Sequence, residues 1–549
     1  MHPSQLAFGA IFVASLLGCR GRETNLSSAP AADGARRARI FFSTSVLGYI
    51  EPCGCTSKPL GGVQRLATII DGSTVPHILV DAGNLFFPDE REGAALAQHD
   101  LKATMLARVY RRLGAVAINV GPSDLEAGPE FLARLQAEGA VPLVSANVRP
   151  EGRGPEVALS FIREVGGIRV GITGVADLGS TSSAGLVATG TDESSMRVSV
   201  REPMASLRAE IEQLRTRGAE LVLVLSHLGE NGSREIARSI PGIDVVVRAP
   251  GAPIVREPSA PELVGSVAIV EAGSQGQRIG VLEVSLKAPN GPIVFDDGGM
   301  KAKRQKELET RKRQALEREI AELSKDPARA EAVAARKVQL DRLTASLESA
   351  SSTPLEAPRR IKYELISLTT DVASHAEMSS LLDAYYARLR DLNLDKGDRA
   401  PCVSRPDTVR YIGTDACLEC HETQHAFWKT TKHAKAWATL ENDNKHFDLT
   451  CIGCHTVGYQ RAGGFCTLRD VGVLKDVGCE MCHGPGARHA ETKDTDHIQL
   501  TVTRDTCAKE CHVPEHSDTF EFARYVRSIT GPGHELSETS SASLRSAAP

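Results

Sequence analysis

Cysteine and histidine recur in a fixed pattern in the last quarter of the chain. The pattern Cys-x-x-Cys-His occurs at residues 417–421, 451–455 and 479–483, and a variant with one more residue between the cysteines follows at 507–512. Two thiols at this spacing can add to the two vinyl groups of a haem, and the adjacent imidazole can then bind the iron. A single copy could be chance or half of a zinc site, but three copies and a variant predict a multihaem c-type cytochrome.

The motifs assign a role to each of their reactive residues. The thiols predicted to attach haem are Cys417, Cys420, Cys451, Cys454, Cys479, Cys482, Cys507 and Cys511. The imidazoles predicted to bind iron beside them are His421, His455, His483 and His512. We therefore predict four haems c. The fourth depends on the longer Cys507–Cys511 spacing, for which a disulfide between the two cysteines is the alternative.

The composition separates this metal chemistry from the rest of the chain. Ten of the 13 cysteines and eleven of the 16 histidines follow residue 401. A length of 549 residues is too great for a single hydrophobic core and predicts two or three domains. The net charge of −5 gives no reason to expect nucleic acid as a partner.

The N-terminus predicts export. Residues 6–17 are mostly apolar, too few to span a bilayer, and typical of a signal peptide. Leu16-Leu17-Gly18-Cys19 resembles the lipobox of bacterial lipoproteins, which implies cleavage before Cys19 and acylation of its thiol; an ordinary cleaved signal is the alternative. Because bacteria attach haem c outside the cytoplasm, we predict a lipoprotein of the cell envelope, facing the periplasm or the outer surface. Its expected partners are the membrane, through the lipid anchor, and other periplasmic or membrane redox proteins.

Patterning divides the chain into segments. Apolar runs that predict strands lie at residues 40–42, 77–80, 116–120, 142–144, 168–172, 221–225, 245–247 and 279–284, with helical spacing at 101–113 and 204–214 between them. Alternation of this kind predicts a layered α/β domain. The predicted segments are a signal peptide (1–19), a tether (20–38), the α/β domain (39–300), a helical hairpin (301–350), a closing strand and helix (351–400) and a mainly irregular or α-helical haem domain (401–549).

The hairpin prediction rests on a change of composition after residue 300. The segment is rich in Lys, Arg, Glu and Ala, with Leu316, Ile320 and Leu323 at helical spacing before Asp326-Pro327, which can cap a second helix. Apolar residues then continue at seven-residue intervals, which predicts a coiled-coil hairpin. A solvated, charged linker helix is the alternative.

The α/β segment resembles the metallophosphatase domain of 5′-nucleotidases. The matching stretches are residues 48–53, 61–67, 81–84, 145–148, 171–175, 225–229, 241–244 and 271–277. The resemblance implies that fold, together with a site in which seven ligands hold two metal ions for phosphoryl transfer.

The ligand positions of that family are largely altered in this chain. The opening Asp-x-His aligns with Ser45-Val46-Leu47, the Asn-His pair with Pro122-Ser123, and the closing His-x-His with residues 250–252. Only Asp81 and His227 remain. Because Pro, Leu and Ala cannot coordinate a metal, we predict a catalytically degenerate domain.

A cysteine pair follows the first altered motif. Cys53 and Cys55, with His227 and Asp81, have the ligand chemistry for a residual soft-metal site. The alternatives are a local disulfide or two unpaired thiols. Cys402 and Cys466 could likewise form a disulfide, which the sequence does not decide.

The haem segment resembles the tetrahaem cytochrome c family linked to hydroxylamine oxidation. The matching stretches are residues 417–421, 431–436, 451–455, 479–489 and 507–512, with His534 matching more loosely by position. The resemblance implies four closely packed haems, with His433, His489 and His534 as ligands on the faces opposite the motif histidines. His425 lies one helical turn after His421 and could face a neighbouring haem or solvent.

Three functions are compatible with these features. The first is electron transfer by an exported cytochrome, because two histidines on each iron leave no position for substrate. The second is a redox enzyme in which one five-coordinate haem acts on a small nitrogen or sulfur compound. The third, a phosphoester or nucleotide hydrolase fused to a cytochrome, is opposed by the altered ligand positions.

Overall fold

The protein is represented by a computed structural model. It describes residues 34–52, 56–88, 95–125, 127–150, 154–178, 186–188, 197–250, 257–288, 291–349, 357–396, 409–465, 468, 471–509, 511–514 and 516–534. The predictions on lipidation, the residual metal site and the second disulfide involve Cys19, Cys53, Cys55, Cys402 and Cys466, which lie outside these residues.

The N-terminal half is an α/β structure. Its strands are β1 (Arg36–Ser43), β2 (His77–Asp81), β3 (Ala115–Asn119), β4 (Leu143–Val144), β5 (Val148–Pro150), β6 (Ser160–Val165), β7 (Ile168–Ala176), β8 (Leu186–Ala188), β9 (Arg197–Val200), β10 (Leu221–His227), β11 (Val245–Arg248), β12 (Glu262–Val264), β13 (Val267–Val270), β14 (Arg278–Leu286), β15 (Val294–Asp296) and β16 (Arg359–Ser367). Each apolar run predicted as a strand coincides with one of them. This agreement follows from burial on both faces, which turns a strand into a continuous apolar run.

The strands form two large sheets and a small one. The first sheet has the order β15-β16-β14-β1-β2-β3-β4, the second β12-β13-β11-β10-β7-β6, and the third β5-β9-β8. Strands β1 to β4 run parallel, as do β7, β10, β11 and β13. The carboxyl ends of each parallel set therefore lie along one edge of its sheet, where loops can gather functional residues.

The helices are α1 (Val63–Asp71), α2 (Leu96–Arg112), α3 (Pro129–Gly139), α4 (Pro203–Thr216), α5 (Gly229–Ser239), α6 (Met300–Leu323), α7 (Ala330–Ser349), α8 (Ala376–Lys396), α9 (Glu422–Trp428), α10 (Ala436–Asn442), α11 (Leu449–His455), α12 (Cys479–His483), α13 (Ala487–Thr492), α14 (Arg504–Ala508) and α15 (Phe522–Ile529). The helices predicted at residues 101–113 and 204–214 correspond to α2 and α4, and the predicted closing strand and helix to β16 and α8.

The two large sheets pack face to face between outer helices. Phe42 and Ile78 of the first sheet and Ile172 and Leu223 of the second belong to one buried cluster between the sheets. A second cluster joins the other face of the first sheet to α1, α2, α3 and α8. A third joins the second sheet to α4 and α5. The architecture is thus four layers, helix–sheet–sheet–helix.

Helices α6 and α7 form the predicted helical pair. Arg336 of α7 contacts Glu319 of α6 at 2.8 Å, and no residue of α6 is buried. The two helices therefore pack on each other without a wide apolar interface, and coiled-coil packing stays a prediction.

The C-terminal part is built of short helices and turns. Its buried apolar cluster consists of Trp437, Leu440, Ile452 and Phe465. So small a core cannot by itself order a region of this length. A search of the described part of the chain for helices able to cross a membrane found none.

Candidate functional site

Each motif histidine is held at the end of a short helix or turn. Helix α11 carries both cysteines of the second motif and ends on His455, and α12 does the same for the third motif and His483. The first motif begins on a turn of 3-10 helix (Thr414–Cys417), and His421 directly precedes α9. Local helical structure thus brings both thiols and the imidazole of each motif into one compact group.

Six histidines from distant parts of the chain stand in three pairs. The pairs, with the distances between ring centres, are His421 and His489 at 6.3 Å, His433 and His512 at 6.2 Å, and His483 and His534 at 6.4 Å. Each pair combines one motif histidine with one of the three histidines expected on the opposite face of a haem. The structure therefore places each of the three candidate distal histidines beside a motif histidine, a pairing that the sequence had not assigned.

The separation within these pairs fits an iron ion between the rings. An iron–nitrogen bond is about 2 Å long and the ring centre lies about 1 Å beyond the nitrogen, so two imidazoles on opposite faces of one iron have centres about 6 Å apart. Rings in direct stacking contact would be closer. All three pairs fall within 6.2–6.4 Å. The residues present therefore fit bis-histidine haem, which supplies reversible one-electron transfer.

Hydrogen bonds orient several of these imidazoles. The Nδ1–H of His483 donates to the carbonyl of Gln499 at 2.7 Å, and that of His489 to the carbonyl of Asp494 at 2.9 Å. In His455, Nδ1–H donates to the carbonyl of Ala436 at 2.6 Å. A proton held on Nδ1 leaves Nε2 as the metal-binding nitrogen.

Burial keeps the His433 imidazole neutral. Burial, together with the nearby His512, lowers its pKa to about 4. The neutral imidazole is the form that binds iron, so no proton has to be displaced at pH 7.

His455 differs from the other three motif histidines. Among the described residues, no second imidazole stands opposite it at the separation seen in the three pairs. Within the described residues, His455 thus stands apart from the pairs that the other three motif histidines form.

The first, third and fourth motifs adjoin one another. The Cys417 and Cys479 side chains interact, which raises the pKa of Cys417 and lowers that of Cys479. Burial and the neighbouring Cys507 raise the pKa of Cys482 to about 11. Contacts between attachment sulfurs of different motifs would bring the edges of their haems close together.

His425 has a role that sequence reasoning missed. Its side chain is 2% exposed, and Nε2 lies 3.1 Å from Oδ1 of Asp415. The ring therefore faces neither solvent nor a motif histidine, but ties α9 to the turn that carries the first motif. No pattern in the sequence marked Asp415 as its partner.

Several positions that the resemblance aligns with metal ligands of the metallophosphatases lie among the described residues. The Ser45 hydroxyl donates to the Pro250 carbonyl at 3.3 Å, so the positions aligned with the first and last ligand motifs meet. Asp81 ends β2 and accepts hydrogen bonds from the Ser43 hydroxyl at 2.6 Å and the Gly83 amide at 2.8 Å. His227 ends β10 in a buried position, and its Nε2 has no hydrogen-bond partner among the residues that the structure describes.

Burial favours the uncharged form of both Asp81 and His227. It raises the pKa of Asp81 to about 8, outweighing the hydrogen bonds from Ser43 and Gly83, and lowers that of His227 to about 4. Among the described residues, no group of three or more His, Cys, Asp or Glu side chains is placed to hold a metal ion. Because Cys53 and Cys55 lie outside those residues, the residual soft-metal site stays a prediction.

Different known proteins resemble the N-terminal and C-terminal parts of the chain. Residues 416–484 match the family described as Cytochrome c554 and c-prime. Cytochrome c-554 from Nitrosomonas europaea is 36% identical over 91 residues, covering 14% of this chain and 39% of that protein. Snake venom 5′-nucleotidase from Gloydius brevicauda is 28% identical over 293 residues, covering 49% of this chain and 47% of that protein.

The chain joins a region similar to 5′-nucleotidases to a region similar to cytochrome c554. The first region has the α/β metallophosphatase-like fold, and the second implies haem c as cofactor. The chain spans less than half the length of either relative. A 5′-nucleotidase precursor from Thermus thermophilus aligns with a TM-score of 0.43 and 20% identity, over 71% of this chain and 68% of that one.

The structure adds contacts between the two regions that the sequence did not reveal. Glu51 of the N-terminal region accepts a hydrogen bond from the Tyr386 hydroxyl and lies 3.3 Å from Lys445 Nζ of the haem region. The Ser57 amide and hydroxyl donate to the Asp518 carboxylate at 3.0 and 2.7 Å. The two regions therefore dock through specific polar contacts.

Replacing His433 or His489 with alanine should convert one low-spin haem to high spin, because each variant removes one imidazole of a pair. Electron paramagnetic resonance and visible spectra measure the spin state, and the haem content per chain should stay that of the wild type. His425→Ala is the matched control and should leave the spin state unchanged. Wild-type spectra for both distal variants would rule out their assignment as ligands.

The free energy of unfolding should decrease as the pH rises, because of the raised pKa of Asp81. With a folded pKa of about 8 against the ordinary 3.8, Asp81 holds its proton more tightly in the folded protein. Between these values the unfolded chain is ionised and the folded one is not, so stability should fall by up to about 1.4 kcal/mol per pH unit. Asp81→Asn should remove this loss. Urea unfolding at pH 5 and pH 8, with a chelator present, measures it.

The control for this comparison is Asp71→Asn, whose carboxylate is partly exposed and pairs with Arg112. A metal ion bound at Asp81 would give the opposite result. In that case the chelator would destabilise the wild type at pH 8 and leave Asp81→Asn unaffected.

Proposed function

We propose that the protein is an exported multihaem c-type cytochrome that transfers electrons, joined to a metallophosphatase-like domain without hydrolytic activity. The observation that carries the proposal is the set of three imidazole pairs, each at the separation that one iron requires. Haems held by these histidine pairs would supply one-electron transfer.

The proposed haems are attached as the four motifs suggest. His421 and His489 would hold the first, His455 the second, His483 and His534 the third, and His512 and His433 the fourth. The sulfur contact between Cys417 and Cys479 supports close approach of the first and third haems. The nearness of Cys482 and Cys507 supports the same for the third and fourth. Electrons could then hop along the series to another redox protein of the cell envelope.

A second function is favoured by His455. An iron with one histidine ligand can bind a small nitrogen or sulfur compound on its other face, which would make the second haem a site of redox catalysis. The alternative of a phosphoester hydrolase has less support, because serine and proline occupy positions 45, 122 and 123. A role in docking or scaffolding accounts better for the N-terminal domain.

The cellular location follows from the cofactor and the N-terminus. Haem c attachment outside the cytoplasm requires export, and acylation at Cys19 would anchor the protein to a membrane. We therefore propose a lipoprotein of the cell envelope, with other redox proteins as its partners.

The matured protein should carry four covalent haems per chain. Mass spectrometry of protein co-produced with cytochrome c maturation factors measures the added mass, and a pyridine haemochrome assay checks the count. Replacing both Cys507 and Cys511 with alanine should reduce the number to three. A wild-type count of three would show that these two cysteines do not attach haem, and a count of zero would overturn the proposal.

Replacing Cys19 with serine should release the protein from membranes, because the variant lacks the thiol that would be acylated. Fractionation of cells and immunoblotting measure this release. Wild-type protein found entirely in the soluble fraction would instead favour an ordinary cleaved signal.

A further inference from the structure

The N-terminal domain forms hydrogen bonds and an ion pair with the segment that leads into the second haem motif. The side chain of Gln98, on α2, donates to the Asp448 carboxylate and accepts a hydrogen bond from the Leu449 amide at 3.0 Å. Asn393, on α8, donates to the Phe447 carbonyl. Lys102 Nζ, one turn after Gln98, lies 3.5 Å from Asp448 Oδ2. Two outer helices of the N-terminal domain therefore hold Phe447 and Asp448, which precede α11, and Leu449, its first residue.

These contacts are buried and mutually satisfied. Gln98 is 0% exposed, Asp448 4% and Asn393 6%. Asn393 also donates to Gln98 at 3.3 Å, which links the contacts from the two helices. Because buried polar groups are costly when unpaired, such a network fixes one arrangement of the two domains.

Asp448 brings a permanent negative charge to the haem-bearing helix. It caps α11, accepting hydrogen bonds from the Thr450 amide at 2.9 Å and the Thr450 hydroxyl at 2.6 Å. Burial alone would raise its pKa, but the Lys102 ammonium and the hydrogen bonds from Thr450 and Gln98 hold the pKa below its usual value. The carboxylate is therefore ionised at neutral pH.

Both charges act at the site of haem attachment. After burial, the largest influences on the Cys451 sulfur are Asp448, which raises its pKa, and Lys102, which lowers it. Lys445, paired with Glu51, lowers it as well. A field felt at the attachment sulfur also reaches the haem bonded to it, and buried charges are screened little by salt.

We propose that Lys102 of the N-terminal domain and Asp448 of the haem region together set the reduction potential of the second haem, which makes the N-terminal domain an electrostatic part of the electron-transfer site. The inference rests on the proposed function, since it requires a haem at Cys451 and Cys454. One-electron reduction removes one positive charge from the iron centre. A nearby cation therefore raises the potential, and a nearby anion lowers it.

The test is a redox titration of the full-length holoprotein and its variants. Lys102→Met should shift one midpoint potential downward, and Asp448→Asn should shift the same one upward. The double variant, in which the net charge of the pair is restored, should return towards the wild-type value. Lys102→Arg, which keeps the charge, should match the wild type. The control Lys362→Met removes a lysine that pairs with Glu283 on the N-terminal sheet and should shift no potential.

A purely structural role for the pair predicts a different pattern. Loosening the segment would move the potential in the same direction in both single variants, and the double variant would not compensate; either result overturns the inference. If Asp448→Asn fails to fold, the comparison of Lys102→Met with Lys102→Arg decides the matter alone. A haemochrome count separates the two proposals. A missing second haem in the wild type defeats the proposed function, whereas a haem that is present with unmoved potentials defeats only this inference.

Discussion

The proposed sharing of one iron by two imidazoles would impose a fixed distance between paired rings, and the C-terminal region would depend on that constraint. A cluster of four buried apolar side chains cannot order this length of chain, and the helices described in it have at most eight residues. Each imidazole pair instead ties together segments that are distant in sequence. The covalent haems would then supply both the apolar volume and the cross-links that a larger core provides elsewhere. Folding and haem binding should therefore be strongly coupled in this region.

The sequence predicted the motif residues because their chemistry is local. Two thiols and an imidazole within five residues can be recognised without a fold. The histidines opposite them could not be predicted in this way, because the sequence around a single histidine does not indicate which residue it will contact. Only the family resemblance singled out His433, His489 and His534 as candidate ligands. His425 looks no different from them in the sequence, yet in the structure it contacts Asp415. Partner choice of this kind is set by tertiary structure.

In the N-terminal domain, too, local features could be predicted from the sequence and long-range contacts could not. Its strands could be predicted because parallel strands buried on both faces are continuous apolar runs. The contacts with the haem region could not, because Gln98 and Lys102 have the polarity of solvent-facing positions on an amphipathic helix. Burial of Gln98 at 0% exposure is a consequence of docking and not of the pattern of α2.

The docking contacts lie away from the positions that the family resemblance aligns with metal ligands. The altered metal site lies at the carboxyl ends of the strands, where the loops after β1 and β11 still meet through Ser45 and Pro250. Docking of the haem motif uses the outer faces of α2 and α8, which the layered core supports independently of the metal ligands. Replacing those ligands therefore leaves the docking surface intact. A fold associated with hydrolysis could then position charged residues, such as Lys102, next to a haem-binding segment.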